Sequence, residues 1–189
     1  MLFVLIACLA ERPTGTQDSV PEADADTDSD ADTDLSPFVR FTLQIGDESR
    51  EVEWTNGGGQ QVRCYDLGGD WLWLHFTDEA STEDSEQRLD IDVCNYAGSG
   101  SYMAYDPRFQ DCPGAAQAFD LWWTEQAELS WVSAVGQDCE MELSADDAGL
   151  GGAFSCAIAP LDEDAHPDDG RGDRSLHEGS FWCPLEPWE

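Results

Sequence analysis

The stretch Phe38-Val39-Arg40-Phe41-Thr42-Leu43-Gln44-Ile45 decides the fold class. Val39, Phe41, Leu43 and Ile45 take every second position, and Arg40, Thr42 and Gln44 fill the gaps. A repeat of two marks a strand with one face buried and one solvated, because successive side chains leave a pleated backbone on opposite sides. Gly46-Asp47 supplies a turn, and the alternation resumes from Arg50 to Trp54.

The same period runs through the rest of the chain. Leu89, Ile91 and Val93 alternate with Asp90 and Asp92; Leu129, Trp131, Ser133 and Val135 follow; Cys139, Met141 and Leu143 alternate with Glu140 and Glu142. Phe154, Cys156 and Ile158 repeat the pattern, as do Phe181, Cys183 and Leu185. About ten short runs of this kind, separated by Gly, Asp, Pro and Ser clusters, predict an all-β domain at 38–189, an antiparallel sandwich or barrel. The acids at alternate positions predict a solvated outer face. The nearest approach to a helix is Ala115 to Ala118, long enough for one turn. Gly152-Ala153-Phe154-Ser155-Cys156 and Gly179-Ser180-Phe181-Trp182-Cys183 share Gly-x-Phe-x-Cys, which points to two strands in equivalent core positions.

Seven cysteines are an odd set, but the one at position 8 stands apart in an apolar leader. The other six make three disulfides in an exported domain, out of 15 connectivities. Folding Cys139–Leu143 back on Gly152–Cys156 around the turn-rich 145–149 segment sets Cys139 opposite Cys156. Cys94 breaks the phase of Leu89, Ile91 and Val93, and its nearest partner is Cys112. Cys64 and Cys183 then join the first and last parts of the domain. Zinc is disfavoured, since no Cys-x-x-Cys occurs and no histidine stands at ligand spacing from a cysteine.

Charge excludes whole classes of partner. Eight arginines, no lysine and 41 acids give −33, which repels phosphate backbones and anionic headgroups, so neither nucleic acid nor polybasic membrane docking is expected. Residues 8–37 are a separate segment: Asp stands at every second position from Asp24 to Asp34, a composition that predicts a disordered, self-extended linker. An EF-hand loop starting at Asp24 would need Gly sixth and Glu twelfth; Ser29 and Leu35 stand there instead.

Met1 to Ala10, MLFVLIACLA, is too short to span a bilayer as a helix and suits the apolar part of an export signal. Within it, Leu5-Ile6-Ala7-Cys8 resembles the lipobox of bacterial lipoproteins. The resemblance implies cleavage after Ala7, removal of 1–7 as signal peptide and lipidation of Cys8, which would anchor the chain to a membrane. That family carries a positively charged segment ahead of the apolar run; none precedes it here, so either the signal is truncated at its start or it is not a working signal. A lipid-bearing cysteine followed by an Asp/Thr/Ser/Ala tether is similar to surface lipoproteins of deltaproteobacteria such as myxobacteria, which implies an extracytoplasmic place at the cell envelope, in the outer membrane or at the cell surface.

Motifs for catalysis are missing: no nucleophile elbow, zincin helix, phosphate loop or dinucleotide fingerprint occurs. His75, between aromatics in Trp71-Leu72-Trp73-Leu74-His75-Phe76, is expected to be a satisfied or solvent-facing strand histidine. Trp71, Trp73 and Trp122 lie opposite the leucine face and are candidates for exposed, ligand-facing aromatics. The acidic loop after the first Gly-x-Phe-x-Cys strand offers Asp162, Asp164, Asp168 and Asp169 as a possible calcium cradle, the one cofactor considered. The expected function is a non-enzymatic β-module at the envelope. A glycan- or calcium-binding module is the alternative and a hydrolase a remote one; an envelope glycan or protein would be its partner.

Overall fold

A computed structural model describes residues 35–79, 86–108, 111–125, 129–133, 138–161 and 172–188. Cys8, the linker and the Asp162, Asp164, Asp168 and Asp169 loop lie outside these residues.

The described residues are all-β, with no helix. Their strands are β1 (Phe38–Ile45), β2 (Glu48–Thr55), β3 (Gln60–Gly68), β4 (Trp71–Asp78), β5 (Gln87–Cys94) and β6 (Gly100–Ala104). Then come β7 (Ala118–Glu125), β8 (Leu129–Ser133), β9 (Cys139–Ala145), β10 (Leu150–Pro160), β11 (Arg174–Cys183) and β12 (Leu185–Pro187). They hydrogen-bond in the order β12-β3-β4-β5-β7-β6-β9-β10-β11-β1-β2, with β8 bridging β7 and β10. No helix forms over Ala115 to Ala118: the Ala116 N–H closes a turn on the Pro113 carbonyl at 3.2 Å, and Ala118 already begins β7.

This ribbon folds over on itself. Val39, Phe41 and Leu43 on β1 are buried, as their spacing requires, and so are Leu72, Leu74 and Phe76 on β4 and Leu89, Ile91 and Val93 on β5. Phe41 meets the Trp123 ring of β7 edge-on at 5.6 Å, and Phe76 of β4 meets Phe181 of β11 at 5.7 Å. These contacts join the β12-β3-β4-β5-β7 half to the β9-β10-β11-β1-β2 half, so one core fills a sandwich. The first turn is as tight as the sequence requires. Ile45 pairs with Glu48 across Gly46-Asp47, and Gly46 takes φ +58°, a conformation that costs an L side chain.

The two Gly-x-Phe-x-Cys copies are direct antiparallel partners: Gly152 pairs with Phe181 and Phe154 with Gly179. One residue of the second run departs from its expected phase. Pro184 ends β11, and Leu185 starts a new strand, parallel to β3 in the other half, where it is 38% exposed.

The disulfides are Cys64–Cys183, Cys94–Cys112 and Cys139–Cys156. Cys139 sits in register with Cys156 across β9 and β10, with Ala145 opposite Leu150 at the closing turn. Cys64–Cys183 ties β3 to β11 across the core just before the chain changes halves. Three such bonds belong to an oxidising, extracytoplasmic compartment.

A candidate binding site on the outer face of β3, β4, β5 and β7

The outer face of the β12-β3-β4-β5-β7 half is not the solvated surface expected from its acids. Asp120 is 3% exposed and Asp90 8%. The cause is a cover. After β6 the chain turns over β7: the Tyr105 N–H donates to the Phe119 carbonyl (2.9 Å), and the Ser133 hydroxyl donates to the Tyr105 carbonyl (2.7 Å). Arg108 holds Asp106 through two side-chain hydrogen bonds and reaches the Pro160 carbonyl at 3.0 Å. Cys94 leaves the inner face, as its broken phase predicts, and its bond to Cys112 packs with Tyr105 and Ala118 in a second small apolar cluster. Asn95 takes φ +53° and donates to the Pro113 and Ala116 carbonyls, which fixes the return of the loop.

Register then sets the face out in rows. Tyr65, Trp73, Asp92 and Asp120 form one row across β3, β4, β5 and β7, and Arg63, His75, Asp90 and Trp122 form the next. Asp90 is the best satisfied acid. Its Oδ1 accepts from Trp73 Nε1 (3.0 Å) and lies 2.7 Å from His75 Nδ1, while its Oδ2 meets Arg88 Nε at 2.6 Å. His75 is therefore the satisfied strand histidine that its setting predicts.

Asp92 and Asp120 are placed differently. Burial pushes the Asp92 carboxyl up to about 7, helped by the negative charges of Asp120 and Asp90. Burial also lifts Asp120, to about 6. Its rise is restrained by hydrogen bonds from Tyr105 and from Trp122 Nε1, the latter at 2.9 Å. The Tyr105 hydroxyl is raised by burial and by its bond to Asp120.

Beyond the acids lies an aromatic shelf. Tyr65 stacks on Trp73 at 5.4 Å, and Trp188, which follows β12, stands edge-on to both at 5.0 and 5.2 Å. Trp188 is 55% exposed, and its N–H donates to the Asp66 carbonyl at 3.0 Å, which extends the pairing of β12 with β3. Of the three tryptophans singled out from the sequence, Trp73 lies in this shelf, half-buried. Trp71 is 42% exposed on the same face, one row further along and opposite Cys94. Trp122 is half-buried and tied to Asp120, so it belongs to the acid row rather than to the open shelf.

Sequence reasoning missed Tyr65, Trp188 and the buried acids. The signal for the acids was present: a cysteine on the outer face, bonded into a loop, needs that loop to lie over the outer face. Among the described residues no group of three or more His, Cys, Asp or Glu side chains could hold a metal ion. The chain matches no family model, no curated protein and no solved structure.

Proposed function

We propose that this is an exported protein, lipid-anchored at Cys8, whose β-domain is a non-enzymatic module that binds a glycan on the shelf of Tyr65, Trp73 and Trp188. The observation that carries the reading is the shelf itself, three clustered aromatic rings with Trp188 half in solvent, beside the Asp92 carboxyl. Clustered exposed aromatics are costly to leave in water and mark a ligand surface. Flat rings fit the C–H faces of sugars, and an adjacent carboxyl exchanges hydrogen bonds with hydroxyls. The net charge of −33 repels acidic polysaccharides, so the ligand is a neutral or amine-bearing glycan.

Catalysis finds less support. His75 faces Arg63 and Asp90 across its neighbouring strands, so no hydroxyl or thiol stands opposite it to be activated as a nucleophile. The lipobox-like Leu5-Ile6-Ala7-Cys8 and the three disulfides support the envelope location.

The test is a glycan array probed with the full chain carrying Cys8→Ser, with calcium and with chelator. Binding by neutral or amino sugars that Trp73→Ala and Trp188→Ala abolish is the expected result. No binding, or binding indifferent to both substitutions, overturns the glycan assignment. The anchor is read separately, as acyl mass on Cys8 in membrane-extracted protein.

A further inference from the structure

Asp92 lies directly opposite Asp120 on the covered face, and Asp90 follows two residues along the same strand. Directly paired residues on neighbouring strands have Cβ atoms about 4.5–5.5 Å apart, so like charges there oppose each other, the more so under cover. The charged and titratable groups that face Asp92 come from every element around it. They are His75 of β4, Arg88 and Asp90 of β5, Asp120 of β7 and Tyr105 of the loop after β6, with Asp111 acting on Tyr105 from beyond it. Arg88 and His75 are both engaged with Asp90. Among the described residues the ion pairs of the arginines go to other acids than Asp92 and Asp120. Tyr105 and Trp122 donate to Asp120, which favours the charge there and leaves the proton to Asp92.

We propose that the directly paired Asp92 and Asp120 hold one proton between them, and that its loss loosens Tyr105 from its place over Asp120, next to the Asp92 that adjoins Trp73 of the aromatic shelf. The raised carboxyls, about 7 for Asp92 and about 6 for Asp120, agree with one shared proton. Loosening follows because Tyr105 seals Asp120: two adjacent carboxylates gain by admitting water, and water enters when Tyr105 lifts. As regulation of the glycan site the inference rests on that reading, but proton and loop are measurable without a ligand.

The experiment is amide hydrogen exchange at Tyr105, whose N–H is bonded to Phe119, in the full chain carrying Cys8→Ser. Rates between about pH 5.5 and about pH 8.5 are corrected for intrinsic base catalysis. Protection should fall by about tenfold or more in this chain, and stay level when Asp92→Asn is added, which keeps the shape and removes the charge. A flat profile in the parent, or an equal fall in the variant, overturns the proposal. If Asp92→Asn does not fold, Asp120→Asn carries the same comparison, since it also removes one member of the pair. Glycan binding is scored at about pH 5.5, where Asp92 keeps its proton. Its failure there defeats the glycan reading and leaves the proton pair untouched.

Discussion

Gly152 lies beneath the ring of Phe181. A Cβ built on it would come within 2.7 Å of that ring and 2.8 Å of the Glu142 carbonyl. The reciprocal holds at Gly179, where a Cβ would meet the Phe154 ring at 2.5 Å. The glycines of the repeat are therefore packing residues, each vacating the space that the other copy's phenylalanine fills. Because one close neighbour is backbone, Gly152→Ala has little room to relax. It should cost about 1–3 kcal/mol in urea unfolding, the usual penalty of overpacking. Adding Phe181→Leu should recover part of that loss, and a strictly additive double mutant would show the ring is not the obstacle.

The disulfides should differ in worth according to the loops they close. Cys64–Cys183 closes 119 residues of separation and Cys139–Cys156 only 17. Chain entropy puts these at about 5 and about 3 kcal/mol. Replacing each pair by alanines should therefore lower stability more for Cys64 and Cys183. Equal losses would mean that the unfolded chain retains structure on that scale.

Asp92 gives stability a definite dependence on pH. Its carboxyl holds its proton up to about 7 in the folded chain against 3.8 for a free side chain. Where the unfolded chain has released that proton and the folded one has not, each rise in pH favours unfolding. The contribution is whole below about pH 4 and is lost as pH climbs through about 7. Asp92→Asn should leave stability near pH 4 unchanged and raise it above pH 7 by on the order of 2 kcal/mol, allowing for solvent screening of a partly exposed group. Thermal melts of the two proteins across that range decide it, and parallel curves would refute it.

Sandwich and strand phases were legible because burial of one face imposes a period of two, and Phe38–Ile45 states it without interruption. Cys139–Cys156 followed from the same phase, Cys94–Cys112 from nearness in sequence and Cys64–Cys183 from what was left. The covered face was not legible. Asp90 and Asp92 sit at the alternate positions that solvated acids occupy, and so does Asp120 on β7, yet Asp90 and Asp120 are buried, Asp120 under Tyr105, which lies 13 residues beyond Asp92 in the chain. Trp188 escaped notice for a similar reason. Its place beside Trp73 depends on Pro184 sending the chain across to β3, a tertiary event that leaves no periodic trace.

Salt should stabilise the domain. Residues 38–189 hold 32 acids and seven arginines, a net charge of −25, so the linker does not account for the acidity. Five of the seven arginines are already committed: Arg50 to Glu125, Arg63 to Glu186, Arg88 to Asp90, Arg108 to Asp106 and Arg174 to Glu125. Elsewhere acids face one another without such relief, as where Glu140, Glu142 and Glu178 line a cavity of about 660 Å³ with His177. Repulsion among surface charges reaches about 10 Å in 0.1 M salt and about 3 Å in 1 M. Molar NaCl should therefore relax it and raise the melting temperature by about 5 °C or more. Chelator keeps calcium from producing the same effect at the Asp162–Asp169 loop. A melting temperature that stays flat or falls would show that the five arginine pairs balance the acids locally, and the saline advantage of this surface would go with it.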